Sequence, residues 1–325
     1  MSGATAPLAV GIDIGGTKVA GGVVDPQGRV LVRTHGDTPA DDVTRTRRVI
    51  VDVIRELSAS HPVEAVGIGA AGWIDAARAT VRYAPNLAWR DEPLRESVAA
   101  AVDLPVVVEN DGNAAAWAEF RFGAGRGDGA PAVAGAMVLV TVGTGIGGGV
   151  VVDGALVRGA YGMAGELGHT RAVPDGLACG CGRRGCLEQY ASGSALVRLA
   201  RAGAARSPED AAGLLALAGG DPHAITGPVV TTAARAGDKV AGEAFDEVGR
   251  WLGEGLADLV QILDPGMIVI GGGVAEAGEL LLGPTRQAYT AALAERGRLP
   301  VAPVRSAMLG AVAGVVGAAD LARPR

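Results

Sequence analysis

The hydrophobic pattern of the first 120 residues predicts strands that alternate with helices. Residues 8–25, LAVGIDIGGTKVAGGVVD, are an apolar segment broken by glycines, which predicts a strand, a tight turn and a second strand. Short apolar runs at 66–70 and 106–109 predict buried strands, and the alanine-rich run 114–120 predicts a helix. An earlier helix is predicted by four apolar residues that share one face: Ile50, Val53, Ile54 and Leu57.

The same pattern begins again near Met137. Residues 13–25 are DIGGTKVAGGVVD and residues 141–153 are TVGTGIGGGVVVD, with five identities in thirteen positions. Because both segments also predict strand, glycine turn and strand, we interpret the chain as an internal duplication. Two similar halves predict two α/β domains that face each other across a cleft. The predicted bounds are residues 1–118 with the returning C-terminal helix 307–325 for the smaller domain, and 119–306 for the larger.

The second half continues with helices and one more buried strand. Asp264-Pro265-Gly266 ends a long predicted helix, and residues 267–270 follow as a short apolar strand. A terminal helix is predicted over residues 307–321. The long helix is indicated by apolar residues at helical spacing: Phe245, Val248, Leu252, Leu256, Leu259 and Leu263.

Composition and charge narrow the class of protein. The 325 residues are 49% hydrophobic and 20% charged, which is typical of a soluble globular protein with a large core. The net charge of −6 disfavours binding to nucleic acid or to an anionic membrane. The uncharged run 129–152 has the length of a membrane span, but its glycines and β-branched residues favour strands. Without an apparent secretory signal, we expect a cytoplasmic protein.

Three glycine-rich turns follow predicted strands. Small residues there expose backbone N–H groups that are suited to phosphate oxygens. Neither the P-loop pattern nor the Rossmann pattern is present, and each turn alone is equally explained as a hairpin. Taken together, the three turns favour a nucleotide. The candidate nucleotide-binding residues are Asp13, Gly15, Gly16, Thr17, Lys18, Gly143, Thr144, Gly145, Gly272 and Gly273.

Asn110 and Asp111 stand at the carboxyl end of a predicted strand, where α/β proteins place their chemistry. Either side chain is also a good N-cap for the helix that follows. The functional hypothesis makes Asp111 a general base that accepts a proton from a hydroxyl group as it attacks a γ-phosphate. Both interpretations hold together if one residue caps the helix and the other activates or orients the substrate.

Two carboxylates and an imidazole lie near the cysteines in sequence. Glu166, His169 and Glu188 offer the acceptors and donors that the neighbouring hydroxyl groups of a sugar require. The alternative for both glutamates is a solvated surface position, which is the commonest environment of Glu.

All three cysteines fall within the stretch CGCGRRGCLE at residues 179–188. Together with His169, they form a set of one imidazole and three thiolates that is suited to a structural Zn²⁺: Cys179, Cys181 and Cys186. Four protein ligands leave no position for a metal-bound water, so this site would organise a loop rather than perform catalysis. The Cys-x-Cys spacing disfavours a redox pair, and three inert thiols remain the alternative.

These motifs, in this order, resemble the ROK family (repressors, open reading frames and kinases). The resemblance covers most of the chain and implies the actin-like ATPase fold, with two α/β domains around a cleft. Within the family, AAGWID at 70–75 and APNLAWRDEPL at 84–94 are similar to the glucose-phosphorylating members from actinobacteria. The motifs are DIGGTK at 13–18, NDGNAAA at 110–116, GTGIGGG at 143–149, GELGH at 165–169 and CGCGRRGCLEQYASG at 179–193.

The resemblance also implies roles for single residues. Asp111 would be the catalytic base and would also contact the sugar, and Asp13 would lie near Mg²⁺. The zinc-bound His169 would also face the sugar. The remaining glucose-binding residues would be Asn110, Glu166 and Glu188, with Gly72 and Asn86 lining the pocket. ATP would be contacted by Gly15, Thr17, Lys18, Thr144 and Gly272.

The expected function is therefore ATP-dependent phosphorylation of D-glucose at its C6 hydroxyl, with Mg²⁺ and a structural Zn²⁺, in a homodimer or homotetramer. Other hexoses remain alternative substrates (fructose, N-acetylmannosamine or N-acetylglucosamine), and polyphosphate remains an alternative donor. The sugar-responsive repressors of the family carry a helix-turn-helix module before the first phosphate turn. We expect no such role here, because only twelve residues precede Asp13 and the net charge is negative.

Overall fold

The computed structural model describes residues 7–85, 87–126, 135–294 and 300–324. Its strands are β1 Leu8–Ile14, β2 Lys18–Val24, β3 Val30–Asp37, β4 Val63–Ala70, β5 Trp73–Ile74, β6 Val81–Tyr83, β7 Arg90–Glu92, β8 Val106–Asn110, β9 Ala136–Val142, β10 Ile146–Val152, β11 Ala155–Leu156, β12 Met267–Gly271 and β13 Val304–Ser306. Its α-helices are α1 Val43–Ser60, α2 Leu94–Val102, α3 Asp111–Phe122, α4 Glu188–Ala191, α5 Gly193–Arg206, α6 Ala212–Leu217, α7 Gly227–Arg235, α8 Lys239–Leu263, α9 Glu279–Ala292 and α10 Ala313–Ala322.

The chain divides into two compact units. The first comprises residues 1–139, 148–166 and 307–325, and the second comprises residues 140–147 and 167–306. The domain bounds drawn from the sequence, with a division after residue 118, stay a prediction. No helix within the described ranges is long and apolar enough to cross a bilayer.

The first unit is built on a five-stranded sheet with the order β3-β2-β1-β4-β8. β1 pairs antiparallel with β2 and parallel with β4, which in turn is parallel to β8. The predicted strands and the turn between β1 and β2 are confirmed, and so is α1, whose four predicted apolar residues are all buried. Because β1, β4 and β8 are parallel, their carboxyl ends lie side by side on one edge of the sheet.

The C-terminal helix α10 packs against β1, β4 and α3. Glycines allow this close approach, because a Cβ at Gly11 or at Gly67 would collide with carbonyl groups of α10. The predicted terminal helix over 307–321 is wrong at its start. Residues 307–312 are a connection with one turn of 3₁₀ helix, and the buried Glu119 fixes this connection by accepting the N–H groups of Met308 and Leu309.

A second five-stranded sheet has the order β11-β10-β9-β12-β13. Position by position, this order repeats that of the first sheet, as the duplication predicts. The predicted long helix is confirmed as α8, which buries five of its six predicted apolar positions and ends at Asp264 in the left-handed conformation (φ 40°). Leu263 at the end of α8 is only partly buried. Part of the uncharged run 129–152 forms β9 and β10, and its residues 129–134 lie outside the described ranges.

A small antiparallel sheet of β5, β6 and β7 follows β4 in the first unit. The sequence did not predict it, because strands of two or three residues are too short to show an alternating pattern. The sheet places Gly72, with a φ of 135°, in the connection between β4 and β5.

Candidate active site

The carboxyl ends of the parallel strands in the first unit bring together the predicted acidic residues. Ile14 of β1 is paired with Ala70 of β4, which is paired with Asn110 of β8. Asp13 directly precedes Ile14 in β1, and Asp111 directly follows Asn110, the last residue of β8. Both acidic residues therefore lie beside this row of paired residues. The candidate catalytic residues predicted at the end of β8 are thus accompanied by Asp13 near the end of β1.

Asn110 and Asp111 divide the two roles that the sequence left open between them. Asn110 is the N-cap of α3, because its Oδ1 accepts the backbone N–H of Asn113 at 2.9 Å. Its Nδ2 donates to the Gly72 carbonyl at 3.1 Å and to Asp111 Oδ1 at 3.0 Å. Asp111 Oδ1 also accepts the N–H of Gly112 at 2.9 Å. The Asp111 carboxylate is thus held in place at the first residue of the helix rather than used as its cap.

Burial controls the electrostatics of this acidic pair. Both carboxyl groups keep some accessible surface but lie within a dense shell of protein atoms. Desolvation raises the pKa of Asp111, although hydrogen bonds from Gly112 and Asn110 oppose the rise. Desolvation, followed by repulsion from Asp111, raises the pKa of Asp13 to about 7. A carboxylate with a raised pKa is a stronger base than an ordinary Asp, which suits proton abstraction near neutral pH.

Gly314 is a residue of this site that the sequence did not indicate. It lies in the first turn of α10, and a Cβ at this position would come within 2.6 Å of Asp13 Oδ2. The absence of a side chain therefore leaves room for the Asp13 carboxylate. Nothing in the sequence near Gly314 indicates this contact, because about 300 residues separate the two positions.

The first glycine turn connects β1 and β2 within the first unit. The N–H of Gly15 donates to the Lys18 carbonyl at 2.9 Å, which closes the turn. The Thr38 hydroxyl donates to the Gly15 carbonyl at 3.0 Å, and the side chains of Thr17 and Lys18 are exposed. The Gly15 N–H is therefore already used within the turn, so the candidate donors to a ligand are the exposed side chains and the other backbone groups of residues 13–18.

The second glycine turn, between β9 and β10, forms one wall of a pocket in the second unit. The Gly193 N–H donates to the Gly143 carbonyl at 2.8 Å, and the Ser194 hydroxyl donates to the Thr144 carbonyl at 2.7 Å. These bonds fix the turn on the first residues of α5. The pocket of about 970 Å³ has room for a nucleotide and is also lined by Gly273. Two of the three predicted glycine turns therefore meet in one cavity.

Three arginines on α5 and α7 line the same cavity and were not predicted from the sequence: Arg198, Arg201 and Arg235. Burial lowers the pKa of Arg198. Each side chain also donates to a backbone carbonyl of a neighbouring segment, at 2.6 Å from Arg198 to Gln189 and at 3.0 Å from Arg235 to Glu276. Helical spacing could not reveal these residues, because arginine on a helix is ordinarily a surface residue.

His169 and the three cysteines converge in the second unit, and their ligand atoms all lie within 4.8 Å of one another. Zn–S bonds of about 2.3 Å in a tetrahedron place neighbouring sulfurs about 3.8 Å apart. The distance from Cys181 Sγ to Cys186 Sγ is 3.7 Å, and that from Cys179 Sγ to His169 Nδ1 is 3.6 Å. The predicted ligands therefore have the spacing of a four-coordinate zinc site.

The chemistry of the thiols also fits a cation. Burial, followed by the neighbouring thiols, raises the pKa of Cys186 to about 12, and burial raises that of Cys179. For Cys181, burial is outweighed by hydrogen bonds from the Arg183 backbone and the other thiols, which lower its pKa. Three thiolates do not form in such a cluster unless a positive charge offsets their repulsion. Zn²⁺ would supply this charge, and four protein ligands would leave it no open position.

The predicted sugar-binding residues are distributed over both units. Gly72, Asn110 and Glu166 belong to the first unit, whereas His169 and Glu188 belong to the second. Glu188 is the first residue of α4, and its Oε2 accepts the N–H of Ile146 at 3.1 Å. Asn86 lies outside the described residues.

A model of the ROK family matches residues 9–325. The chain belongs to the ROK family. It is 49% identical over 320 residues to the glucokinase of Streptomyces coelicolor, covering 97% of this chain and 98% of the relative.

Solved structures of ROK proteins have the same fold. The crystal structure of a ROK family glucokinase from Streptomyces griseus, in complex with glucose and AMPPNP, has a TM-score of 0.88 and 51% identity, covering 97% of this chain and 99% of that one. The ROK hexokinase from Thermus thermophilus has a TM-score of 0.79 and 36% identity, covering 97% of each chain. This ROK protein therefore has the actin-like ATPase fold with two α/β domains, as expected from its motifs.

Proposed function

We propose that this ROK protein transfers the γ-phosphoryl group of ATP to the C6 hydroxyl of D-glucose. The observation that carries the proposal is the Asp111 carboxylate, which is held at the end of a parallel strand with a raised pKa. The 970 Å³ pocket beside Thr144 supplies a separate place for a nucleotide. The likeness to glucokinases over nearly the whole chain supports glucose as the acceptor.

Asp111 is the proposed general base. It takes the proton of the C6 hydroxyl as the oxygen forms a bond to the γ-phosphorus, and the bond from that phosphorus to the bridging oxygen breaks to release ADP. Asn110 holds Asp111 Oδ1 and the Gly72 carbonyl, so it orients the base. The products are glucose 6-phosphate and ADP.

The remaining sugar-binding assignments are also proposals. Glu166, His169 and Glu188 would bind hydroxyl groups of glucose, and Gly72 and Asn86 would line its pocket. Glu188 still has acceptor capacity for this role, because each carboxylate oxygen accepts more than one hydrogen bond.

Mg²⁺ and the phosphates of ATP have candidate partners in each unit. Asp13 would hold the metal ion, because a hard cation prefers carboxylate oxygen and would offset the repulsion between Asp13 and Asp111. When bound, Mg²⁺ supplies positive charge to the phosphate oxygens. Gly16, Thr17 and Lys18 are proposed phosphate contacts in the first unit, and Gly15, whose N–H closes the turn, is proposed to line the same site without donating that N–H. In the second unit, the proposed nucleotide contacts are Gly143, Thr144, Gly145, Gly272 and Gly273.

The zinc site has a structural role in this proposal. His169 and the three cysteines would hold Zn²⁺, which fixes the orientation of the imidazole relative to the sugar. We also propose a cytoplasmic homo-oligomer, a dimer or a tetramer, as the family resemblance implies.

Steady-state kinetics with a panel of sugars and donors test the function. We expect glucose with ATP to give the highest kcat/KM, and the same preparation to contain one zinc per chain. A higher kcat/KM for fructose, N-acetylmannosamine or N-acetylglucosamine would replace glucose, and a preference for polyphosphate would replace ATP. No phosphorylation of any sugar would overturn the kinase proposal, and retardation of a DNA fragment at low micromolar protein would favour a repressor instead.

A further inference from the structure

Glu109 is a buried carboxylate directly before the Asn110–Asp111 pair. Its side chain is only 1% exposed, and its Oε2 lies 2.9 Å from Arg158 Nε and 3.2 Å from Arg78 Nε. Neither N–H group is aligned for a linear hydrogen bond, so the attraction is mainly electrostatic. The side chains of Arg78 and Arg158 are partly buried, at 26% and 18% exposed. We call these three residues, Arg78, Glu109 and Arg158, the Glu109 triad. All of them belong to the first unit.

The other oxygen of Glu109 fixes the start of α3. Oε1 accepts the backbone N–H of Asn110 at 3.0 Å and Nδ2 of Asn113 at 3.1 Å. Asn113 in turn donates its backbone N–H to Asn110 Oδ1. Asn110 Nδ2 donates a hydrogen bond to Asp111 Oδ1. A shift of Glu109 would therefore move Asn110 and, through this bond, the proposed catalytic base Asp111.

Arg158 connects Glu109 to two other segments of the first unit. Its NH1 and NH2 groups donate to the carbonyls of Ala76 and Asp75, at 3.1 Å and 3.0 Å. Its own carbonyl accepts the N–H of Ala164 at 3.0 Å. Arg158 therefore fastens the segment that leads to Glu166 onto the segment that follows Gly72.

Arg78 completes the connection from the other side of Glu109. Its N–H donates to the Asp75 carbonyl, and its carbonyl accepts the N–H of Val108 at 3.1 Å. With a φ of 57°, Arg78 has a left-handed backbone that the turn over residues 75–78 requires. The turn is thereby bound both to Glu109 and to β8, the strand that ends at Asn110.

We propose that the Glu109 triad consists of positioning residues for the sugar site. It joins three separate segments, and each of them carries proposed sugar-site residues: Gly72, the Asn110–Asp111 pair and Glu166. This inference rests on the proposed function. Buried ion pairs contribute little net stability compared with apolar side chains of the same size, whereas a displacement of about 1 Å at a reacting group costs roughly 100-fold in rate.

The test compares Arg158→Lys with wild type. Lysine keeps the positive charge but lacks the forked guanidinium, so it does not reach Glu109 and both carbonyls together. We expect a glucose KM at least tenfold higher and a kcat at least tenfold lower, with the AMPPNP dissociation constant within twofold of wild type. Arg82→Lys is the matched control, because Arg82 forms an exposed ion pair with Asp91 in the same unit; its constants should stay within twofold.

A purely structural role of the triad predicts a different result. Arg158→Lys would then lower the melting temperature, while kcat and the glucose KM of the folded protein stay within twofold of wild type; this outcome overturns the inference. If Arg158→Lys does not fold, the pair Glu109→Gln and Arg158→Gln in one chain removes both charges, and the same criteria apply. The assays use the sugar that the wild type phosphorylates best. A wild type that phosphorylates no sugar defeats the proposed function itself, and the triad inference with it.

Discussion

The two five-stranded sheets have the same strand order but different residues at corresponding ends. In the first sheet, β1 and β8 end beside carboxylates, Asp13 and Asp111. In the second sheet, the corresponding strands β9 and β13 end beside Gly143 and at Ser306, without an acidic residue at the end. The same strand order therefore carries acidic residues at these strand ends in the first sheet and small residues at them in the second. We infer that the first half supplies the proton transfer and the second half holds the nucleotide.

Of the changes that test this difference between the two sheets, Asp111→Asn is expected to have the largest effect, which is on kcat. The amide keeps the size and the hydrogen bonds to Gly112, but it does not accept a proton at neutral pH. We expect kcat to fall by roughly 1,000-fold or more, since general bases contribute about 10²–10⁴ to the rate. Initial-rate measurements of ADP release check this prediction. A kcat within tenfold of wild type would show that another group accepts the proton.

Gly272→Ala is expected to act on the nucleotide instead. Gly272 has a φ of 88°, and a Cβ there would lie 2.5 Å from the Val142 carbonyl oxygen, so the turn after β12 must move away from β9. We expect the KM for ATP to rise roughly 10- to 100-fold, which a titration with AMPPNP would reproduce, and kcat to change far less. Gly242→Ala is the control, since a Cβ there meets nothing within 4 Å and α8 should gain slightly in stability. An unchanged KM for ATP would show that Gly272 does not contribute to nucleotide binding.

Removal of zinc is expected to destabilise the second unit. Without the metal, the three crowded thiols and the imidazole lose the ligand bonds that would join them, and the loop over residues 179–186 loses that constraint. We expect chelation to lower the melting temperature by about 10 °C, which corresponds to roughly 3–5 kcal/mol for a domain of this size. Scanning calorimetry with parallel metal analysis measures both. An unchanged melting temperature after complete loss of zinc would contradict the structural role.

Apart from any loss of turnover that follows from removing a proposed Mg²⁺ ligand, Asp13→Asn is expected to have the smallest effect, visible as a change in the pH dependence of stability. The folded pKa of about 7 exceeds the ordinary value of 3.8, so between these pH values the folded state binds a proton that the unfolded state releases. Stability therefore falls as pH rises from about 4 to 7, by at most about 4 kcal/mol for this shift. Asn at this position should remove the share of the decline that Asp13 contributes and leave the share of Asp111, whose pKa is also raised by burial. Urea unfolding at pH 5 and pH 8, without Mg²⁺ or nucleotide, checks this, with the exposed Asp52→Asn as the control.

Long and periodic features of the fold were predictable from the sequence. The predicted apolar positions repeat over 19 of the 25 residues of α8, and the His-Cys cluster lies within 18 residues of chain, so local spacing is sufficient for both. The start of the last helix was not predictable in this way. Residues 307–312 are apolar like most of α10, but Glu119, almost 190 residues away, accepts the N–H groups of Met308 and Leu309 and so holds this segment in another conformation.

In the candidate site, too, contacts between residues that are distant in sequence were not predictable from local patterns. The sequence indicated Asn110 and Asp111 as alternatives for capping and catalysis, and the hydrogen bond from Asn113 to Asn110 was needed to separate them. Arg158 and Glu109 gave no signal, because an isolated arginine and an isolated glutamate are ordinarily surface residues. Only the fold brings them together, across 49 positions of the chain.

The central claim is that Asp111 contacts the C6 hydroxyl of glucose and contributes mainly to the chemical step, with little contribution to the affinity for either substrate. Isothermal titration of the Asp111→Asn protein with glucose and with AMPPNP tests it most directly, because binding is then measured where turnover is blocked. We predict dissociation constants within threefold of wild type for both ligands, together with the loss of kcat. Loss of glucose or AMPPNP binding in this variant would contradict the claim, because Asp111 would then be a binding residue and the division between the two halves would not hold.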